Sequence, residues 1–416
     1  MRNKRSLLIF LLLPAGLLRA QTGCFWFGDT TSALVNNRII AMKEGASGDI
    51  YMLGKASDYA YNNVQPYWAV CDKSGKLRSQ KTLDTKKDVF ELNNFVVCNE
   101  NKFRIYGTET TDGRQTPMPV TVDAKGNMPE TNAMLTTTNT LCGDVCQVDA
   151  ETAVFAKTVQ SSSTGIFHIS VYKYNLKDDS QVWYKKLDAE GNEEASRIFQ
   201  MKDGSLILLA KLYDDRLTTY NTLIYKLSST GELIWRKTLD GYPIFQGQGV
   251  AETKKKGLVY ICSRGTERDT NCATKLFMLD SSGSLLWQSE LKGIRANGIL
   301  GLKNGNYFLY GSHFQAAGIY IITKACFRIF DGNMKLVKQD ELGMLDGPDA
   351  QLPWLAMSAW PTSSDILTAI QLSDGRIACG GRVYMPTTAD PGKIIFSDRV
   401  NRPMLLLVSS AGEFRK

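Results

Sequence analysis

The chain has 416 residues, with 49 Lys+Arg against 42 Asp+Glu, two His and nine Cys. A composition that is 43% hydrophobic and 22% charged is that of a globular chain with a sizeable core, which excludes a largely disordered or fibrous protein. The formal net charge of +7 suits an anionic partner only where it is concentrated on the folded surface.

The first predicted element accounts for much of that charge. Arg2, Lys4 and Arg5 precede an apolar run from Leu7 to Leu18, and Ala20 is followed by polar Gln21 and Thr22. A basic start, a short apolar core and a small residue before a polar stretch read as a secretory signal peptide over residues 1–20. The run is too short for a permanent spanning helix, and no later segment is apolar enough to serve as a transmembrane segment. Removing residues 1–20 takes away four basic residues and no acidic one, leaving +3. That small excess argues against a nucleic-acid partner, and the expected location is secreted or periplasmic. A lipid anchor at Cys24 is disfavoured, because Gln21 stands where a lipoprotein signal prefers Leu.

Residues 21–416 are built from repeats. Trp183, Trp235 and Trp287 fall at intervals of 52 within "YNLKDDSQVWYKKL", "YKLSSTGELIWRKTL" and "FMLDSSGSLLWQSEL". Weaker copies are "AVCDKSGKLRSQKTL", "VTVDAKGNMPETNAML", "FRIFDGNMKLVKQDEL" and the terminal "LLVSSAGEFRK". A second element precedes each: "GDIYMLG", "NKFRIYG", "ETAVFAK", "DGSLILLA", "KGLVYIC", "NGNYFLYG" and "DGRIACGG". Both count to seven. Short alternating runs broken by Gly, Asn and Asp are strand and hairpin signals, and each unit reads as four strands. Four-stranded units of about 50 residues repeated in series predict an all-β fold, a single β-propeller of seven four-stranded blades. Between the sixth and seventh units lies an insertion, residues 343–365, carrying Trp354, Trp360 and three prolines. The seventh unit ends where the others begin their outer strand. "CFWFGDTTSAL" near the start offers a matching Trp26, so residues 24–30 are expected to close the ring.

The turn-plus-Trp element resembles the repeat of pyrroloquinoline-quinone-type β-propellers, through Ser228–Trp235, Asp280–Trp287 and the Gly-less stretch before Trp183. In that superfamily the Gly turns the chain and the indole docks one blade on the next. Its quinone-dependent dehydrogenases have eight blades, a disulfide between adjacent cysteines and a bound Ca²⁺. This chain counts seven units and has no adjacent cysteines, so the resemblance implies a non-catalytic member and no cofactor.

The cysteines suggest two disulfides, Cys262–Cys272 on the arms of a hairpin and Cys142–Cys146 around a Gly-Asp-Val turn. No His or Cys cluster has metal-ligand spacing, and no metal is expected. With His168 on an alternating strand and His313 at a strand end, no catalytic residue is assigned. Aligning first strands places Arg38, Asn94, Asp144 and Arg197 around one mouth of the central channel, together with Gly249, Gly298 and Thr368. Two arginines, an amide and an acid there suit an anionic or polar ligand. The 343–365 insertion and the loops 55–66 and 211–222, with Tyr59, Tyr61, Tyr213, Tyr220 and Arg216, fall on the same face. Rigid exposed aromatics such as Trp354 and Trp360 suit a partner or glycan contact. The expected function is therefore binding or scaffolding in a bacterial envelope, with an envelope or extracellular protein, or a glycan, as partner. The alternative is a carbohydrate-active or quinone-dependent enzyme acting at the mouth.

Overall fold

In the computed structural model the described residues are 23–26, 36–58, 63–85, 89–111, 114–128, 140–161, 163–187, 191–213, 220–239, 247–265, 271–317, 320–342, 364–386 and 399–413. Their regular elements are all strands, joined by turns. After β1 (Gly23–Trp26), the first blade comprises β2 (Asn36–Glu44), β3 (Ile50–Ser57), β4 (Gln65–Cys71) and β5 (Leu77–Thr82). The second has β6 (Val89–Asn99), β7 (Lys102–Thr111) and β8 (Arg114–Val122), and the third β9 (Thr140–Gln147), β10 (Thr152–Gln160), β11 (Phe167–Asn175) and β12 (Gln181–Lys186). The fourth is β13 (Asn192–Gln200), β14 (Leu206–Tyr213), β15 (Tyr220–Leu227) and β16 (Leu233–Leu239). The fifth is β17 (Gly247–Glu252), β18 (Leu258–Arg264), β19 (Ala273–Leu279) and β20 (Leu285–Lys292). The sixth is β21 (Ile294–Gly301), β22 (Tyr307–Ala317), β23 (Tyr320–Phe330) and β24 (Leu336–Leu342); β25 (Ser364–Gln371), β26 (Ile377–Pro386) and β27 (Arg399–Val408) belong to the seventh.

These strands make seven antiparallel sheets, a seven-bladed β-propeller; the second sheet has three strands among the described residues and the others four. The seventh takes its outer strand from the start of the chain, in the order β1-β27-β26-β25. Gly23 pairs with Leu407 and Trp26 with Met404. The expected closure thus occurs, over Gly23–Trp26. No helix among the described residues is long and apolar enough to cross a membrane. Residues 1–20, Trp354, Trp360, Tyr59, Tyr61 and Arg216 lie outside the described residues.

Second strands are covered on both faces by neighbouring blades, which is why β14 reads as an unbroken apolar run and Ile207 to Ala210 are all fully buried. The blade-docking device has the expected geometry. Gly231 and Gly283 each have a φ of 83°, and an added Cβ would lie 2.9 Å from Trp183 and 3.1 Å from Trp235 respectively. Each turn glycine therefore seats the preceding blade's indole, and Trp235 Nε1 donates to the Ser281 carbonyl at 3.0 Å.

Neither expected disulfide forms. Cys262, Cys272 and Cys146 are thiols outside any disulfide. Cys262 stands opposite Lys275, and the ladder runs on to Arg264–Ala273 before Cys272 is reached. That offset of three residues separates them by about 10 Å, beyond bridging range. Cys142 and Cys146 lie on one strand, β9. The Gly-Asp-Val segment is extended rather than a turn, which sets them about 13 Å apart.

Candidate functional site at the channel mouth

The inner strands share an irregularity that builds the mouth. Six of the seven carry a β-bulge at the same level: Ile40, Asn93, Gly143, Ser196, Asn297 and Leu367 are the extra residues. The fifth blade is regular, and Gln248 occupies that level. A bulge kinks its strand and re-aims the neighbouring side chains. In four of the six bulged blades it also brings the inner strand down onto a strand-two glycine; the third and fourth blades have Lys157 and Ala210 there. A Cβ on Gly54, Gly107, Gly311 or Gly381 would lie 2.3, 2.3, 2.2 or 1.8 Å from the carbonyl oxygen of Arg38, Glu91, Arg295 or Asp365. Only glycine tolerates that approach.

All seven residues of this level line one cavity of about 360 Å³, within the range of small-ligand sites. Its charged walls come from four consecutive blades: Arg38 and Lys55 from the first, Glu91 from the second, Asp144 from the third, and Glu194, Arg197 and Lys211 from the fourth. Blades five to seven contribute uncharged Gln248, Asn297 and Leu367. Long side chains on adjacent strands converge because Arg38 pairs in register with Lys55, and Glu194 with Lys211.

Two carboxylates are already engaged. Asp144 is buried and accepts from the Ile198 amide at 3.2 Å and from Asn94 Nδ2 at 3.4 Å. Glu194 accepts from Lys211 Nζ at 2.6 Å and from the Tyr213 hydroxyl. Burial raises the Asp144 carboxyl, a rise that Arg197 opposes. Glu91 opens to the cavity's solvent, yet enclosure by its walls raises its carboxyl against the pull of Lys55, Lys211 and Arg197. Burial, seconded by Arg38, lowers the Lys55 amine to about 8, with Glu91 opposing. Perturbed acids and bases gathered in one cleft are a mark of functional sites. The Ser196 Oγ is buried there with no hydrogen-bond partner among the described residues.

Among the sequence-derived candidates, Arg38, Asp144 and Arg197 reach the cavity, whereas Asn94 does not. Asn94 lies behind the wall and donates to Asp144 and to the Val145 carbonyl. The alignment of first strands also needs correcting: Asn94, Asp144, Arg197, Gly298 and Thr368 each follow the bulge, but Arg38 precedes it by two residues. Sequence reasoning missed Lys55 and Lys211, which project from second strands. Their signal was present in "YMLGKAS" and "LILLAKLY", each a lysine just past the apolar run. His313 stands elsewhere, on the sixth blade, with Nδ1 2.6 Å from Glu341 Oε1. No group of three or more His, Cys, Asp or Glu among the described residues is placed to hold a metal.

No protein-family model matches the chain, and no curated protein matches it. Solved structures do. A polysaccharide lyase, Uly1, superposes with a TM-score of 0.51 at 8% identity, over 96% of this chain and 94% of its own. A protein of unknown function from Dyadobacter fermentans gives 0.44 at 12% identity, over 93% and 98%. An α-L-arabinofuranosidase from Fusarium graminearum gives 0.46 at 10% identity, over 74% and 97%. At these identities the likeness is one of fold.

Proposed function

We propose that this is an extracytoplasmic binding propeller, exported by the leader at 1–20, that takes a polar ligand in its channel mouth. The observation that carries this reading is the convergence of seven ionisable side chains from four blades on one cavity, with the pKa of Lys55 lowered and those of Glu91 and Asp144 raised. A wall built only for stability would close such charges on one another, because an enclosed, imperfectly paired charge costs free energy. The face around the mouth is the surface on which a glycan or an envelope protein would be held, and Trp354 and Trp360 of the insertion, outside the described residues, are proposed to contribute to that contact. The blade-docking turns support placing the chain among the pyrroloquinoline-quinone-type propellers as a non-catalytic member.

The test is a ligand screen by thermal shift and NMR line broadening on the folded protein, repeated with Arg197→Ala. Ligands that bind the wild type and not the variant support a mouth site; ligands indifferent to Arg197 place binding elsewhere. A second reading rests on a specific pair: Lys55, with its pKa lowered to about 8, and Glu91, with its pKa raised, have the opposed displacements of a general base and acid. Glycan cleavage that survives in the wild type and is lost in both Lys55→Met and Glu91→Gln supports catalysis.

A further inference from the structure

The mouth is furnished for a ligand that is both anionic and hydroxylated. We propose that it holds a hexuronate, a sugar ring bearing one carboxylate, either free or as the terminal residue of an acidic glycan; this rests on the binding reading above. Charge is the first ground. The cavity has four cations against three carboxylates. Asp144 and Glu194 are committed within the wall. The side chains of Arg197 and Lys55, from opposite ends of the charged arc, make no hydrogen bond or ion pair with a described residue. A guanidinium grips a carboxylate through two parallel N–H donors, and an ammonium alongside adds a point charge.

Hydrogen bonding is the second ground and is independent of charge. The Ser196 hydroxyl, next to Arg197 in the chain, is buried at Oγ with no partner among the described residues, and Gln248 beside it, only 9% exposed, is drawn toward the Tyr260 hydroxyl behind the wall. A buried donor left unmade is costly and is usually completed by something not part of the wall. Water would satisfy it. Ring hydroxyls, which both donate and accept, would do so while sharing the cavity with the carboxylate. Glu91, the remaining carboxylate, repels a bare anion but accepts from a hydroxyl, so it selects a sugar acid over a simple one. The volume of about 360 Å³ admits one sugar ring rather than a buried chain.

Calorimetric titration of the full chain tests this with D-glucuronate, D-galacturonate and trigalacturonate, using D-glucose and acetate as the neutral and the unhydroxylated probe. The expected result is binding of at least one uronide, with glucose and acetate at least tenfold weaker. Arg197→Ala should weaken the uronide tenfold or more, Arg197→Lys should recover part of it, and circular dichroism should remain unchanged. Lys55→Met gives a second, independent loss should Arg197→Ala misfold. Trigalacturonate binding more tightly than the monomer marks a glycan end, and equal affinities mark the free sugar; both support the assignment. Binding of glucose equal to that of the uronides overturns the hexuronate assignment and leaves the mouth site standing. Uronide binding unchanged in both variants, or no binding by any probe, overturns the assignment outright.

Discussion

Two arcs of the channel wall use the same register positions in opposite ways. Two residues before the bulge, the sixth and seventh blades place Arg295 and Asp365, and these close on each other at 2.9 Å with side chains 8% and 2% exposed. Asn297 and Ser312 complete the carboxylate's hydrogen bonds. At that same position the first, second and fourth blades place Arg38, Glu91 and Glu194, all turned to the cavity. The chemistry of the residues is alike; what differs is whether the neighbouring blade supplies the partner. The far end of the inner strands follows the closed pattern. Four residues past the bulge level, Glu44, Gln147, Glu252 and Gln371 accept from backbone amides of the preceding blade, at Ser373, Val97, Lys202 and Lys303. A charge that is closed across an interface is part of the frame. Of those facing the cavity, Glu194 is held by Lys211 and Tyr213 of its own blade, and Glu91 is left towards a ligand.

Breaking the closed arc should cost the most. Asp365→Ala leaves Arg295 buried without its carboxylate and is expected to destabilise by about 3–5 kcal/mol, measured by urea unfolding. Gly107→Val puts a side chain against the Glu91 carbonyl, 2.3 Å from where its Cβ must lie, and should cost about 3 kcal/mol while distorting the mouth.

The open arc should respond with the other sign. The Lys55 amine sits at about 8 instead of 10.5, so between those values the unfolded chain holds a proton that the folded chain lacks. Stability contributed at this site therefore rises with pH across that window and is lowest below 8. Lys55→Met should stabilise the protein by about 2–3 kcal/mol at pH 7, with the gain fading towards pH 10.5. Ligand affinity should fall in the variant, as it should in the wild type above pH 8. The groups facing Lys55 in that titration are Arg38 on β2 and Glu91 on β6, with Asp144, Glu194, Arg197 and Lys211 lining the same cavity. The smallest effect belongs to the far end. Glu252→Ala removes one hydrogen bond to the Lys202 amide and should cost about 1 kcal/mol, with ligand titrations unchanged.

Much of the frame was legible in the sequence because it repeats. The spacing of Trp183, Trp235 and Trp287, with Gly231 and Gly283 in the turns, encodes a contact made once per blade, and Trp26 marked the closing strand. The site was legible only in part. Asp144 and Arg197 stand next to the bulge in every reading of their strands, but a bulge inserts a residue without leaving a signature of its own. Arg38 was consequently aligned three residues out, and Asn94 was taken for a mouth residue. Lys55 and Lys211 were hidden because a lysine after an apolar strand ordinarily marks the strand's solvated end. Cys262 and Cys272 show the same limit: hairpin membership was readable, but register was not.

Two arginines of the channel wall stand for the two arcs, Arg197 lining the open mouth and Arg295 buried in the closed pair. Unfolding and uronide titration of Arg197→Ala and Arg295→Ala, side by side, test that contrast most directly. Arg197→Ala is expected to lower the unfolding midpoint far less than Arg295→Ala, since it only loosens the hold on Asp144, and to lose binding tenfold or more, while Arg295→Ala loses stability and, where folded, still binds. Arg197→Ala destabilising as much as Arg295→Ala, with uronide binding intact, would contradict it.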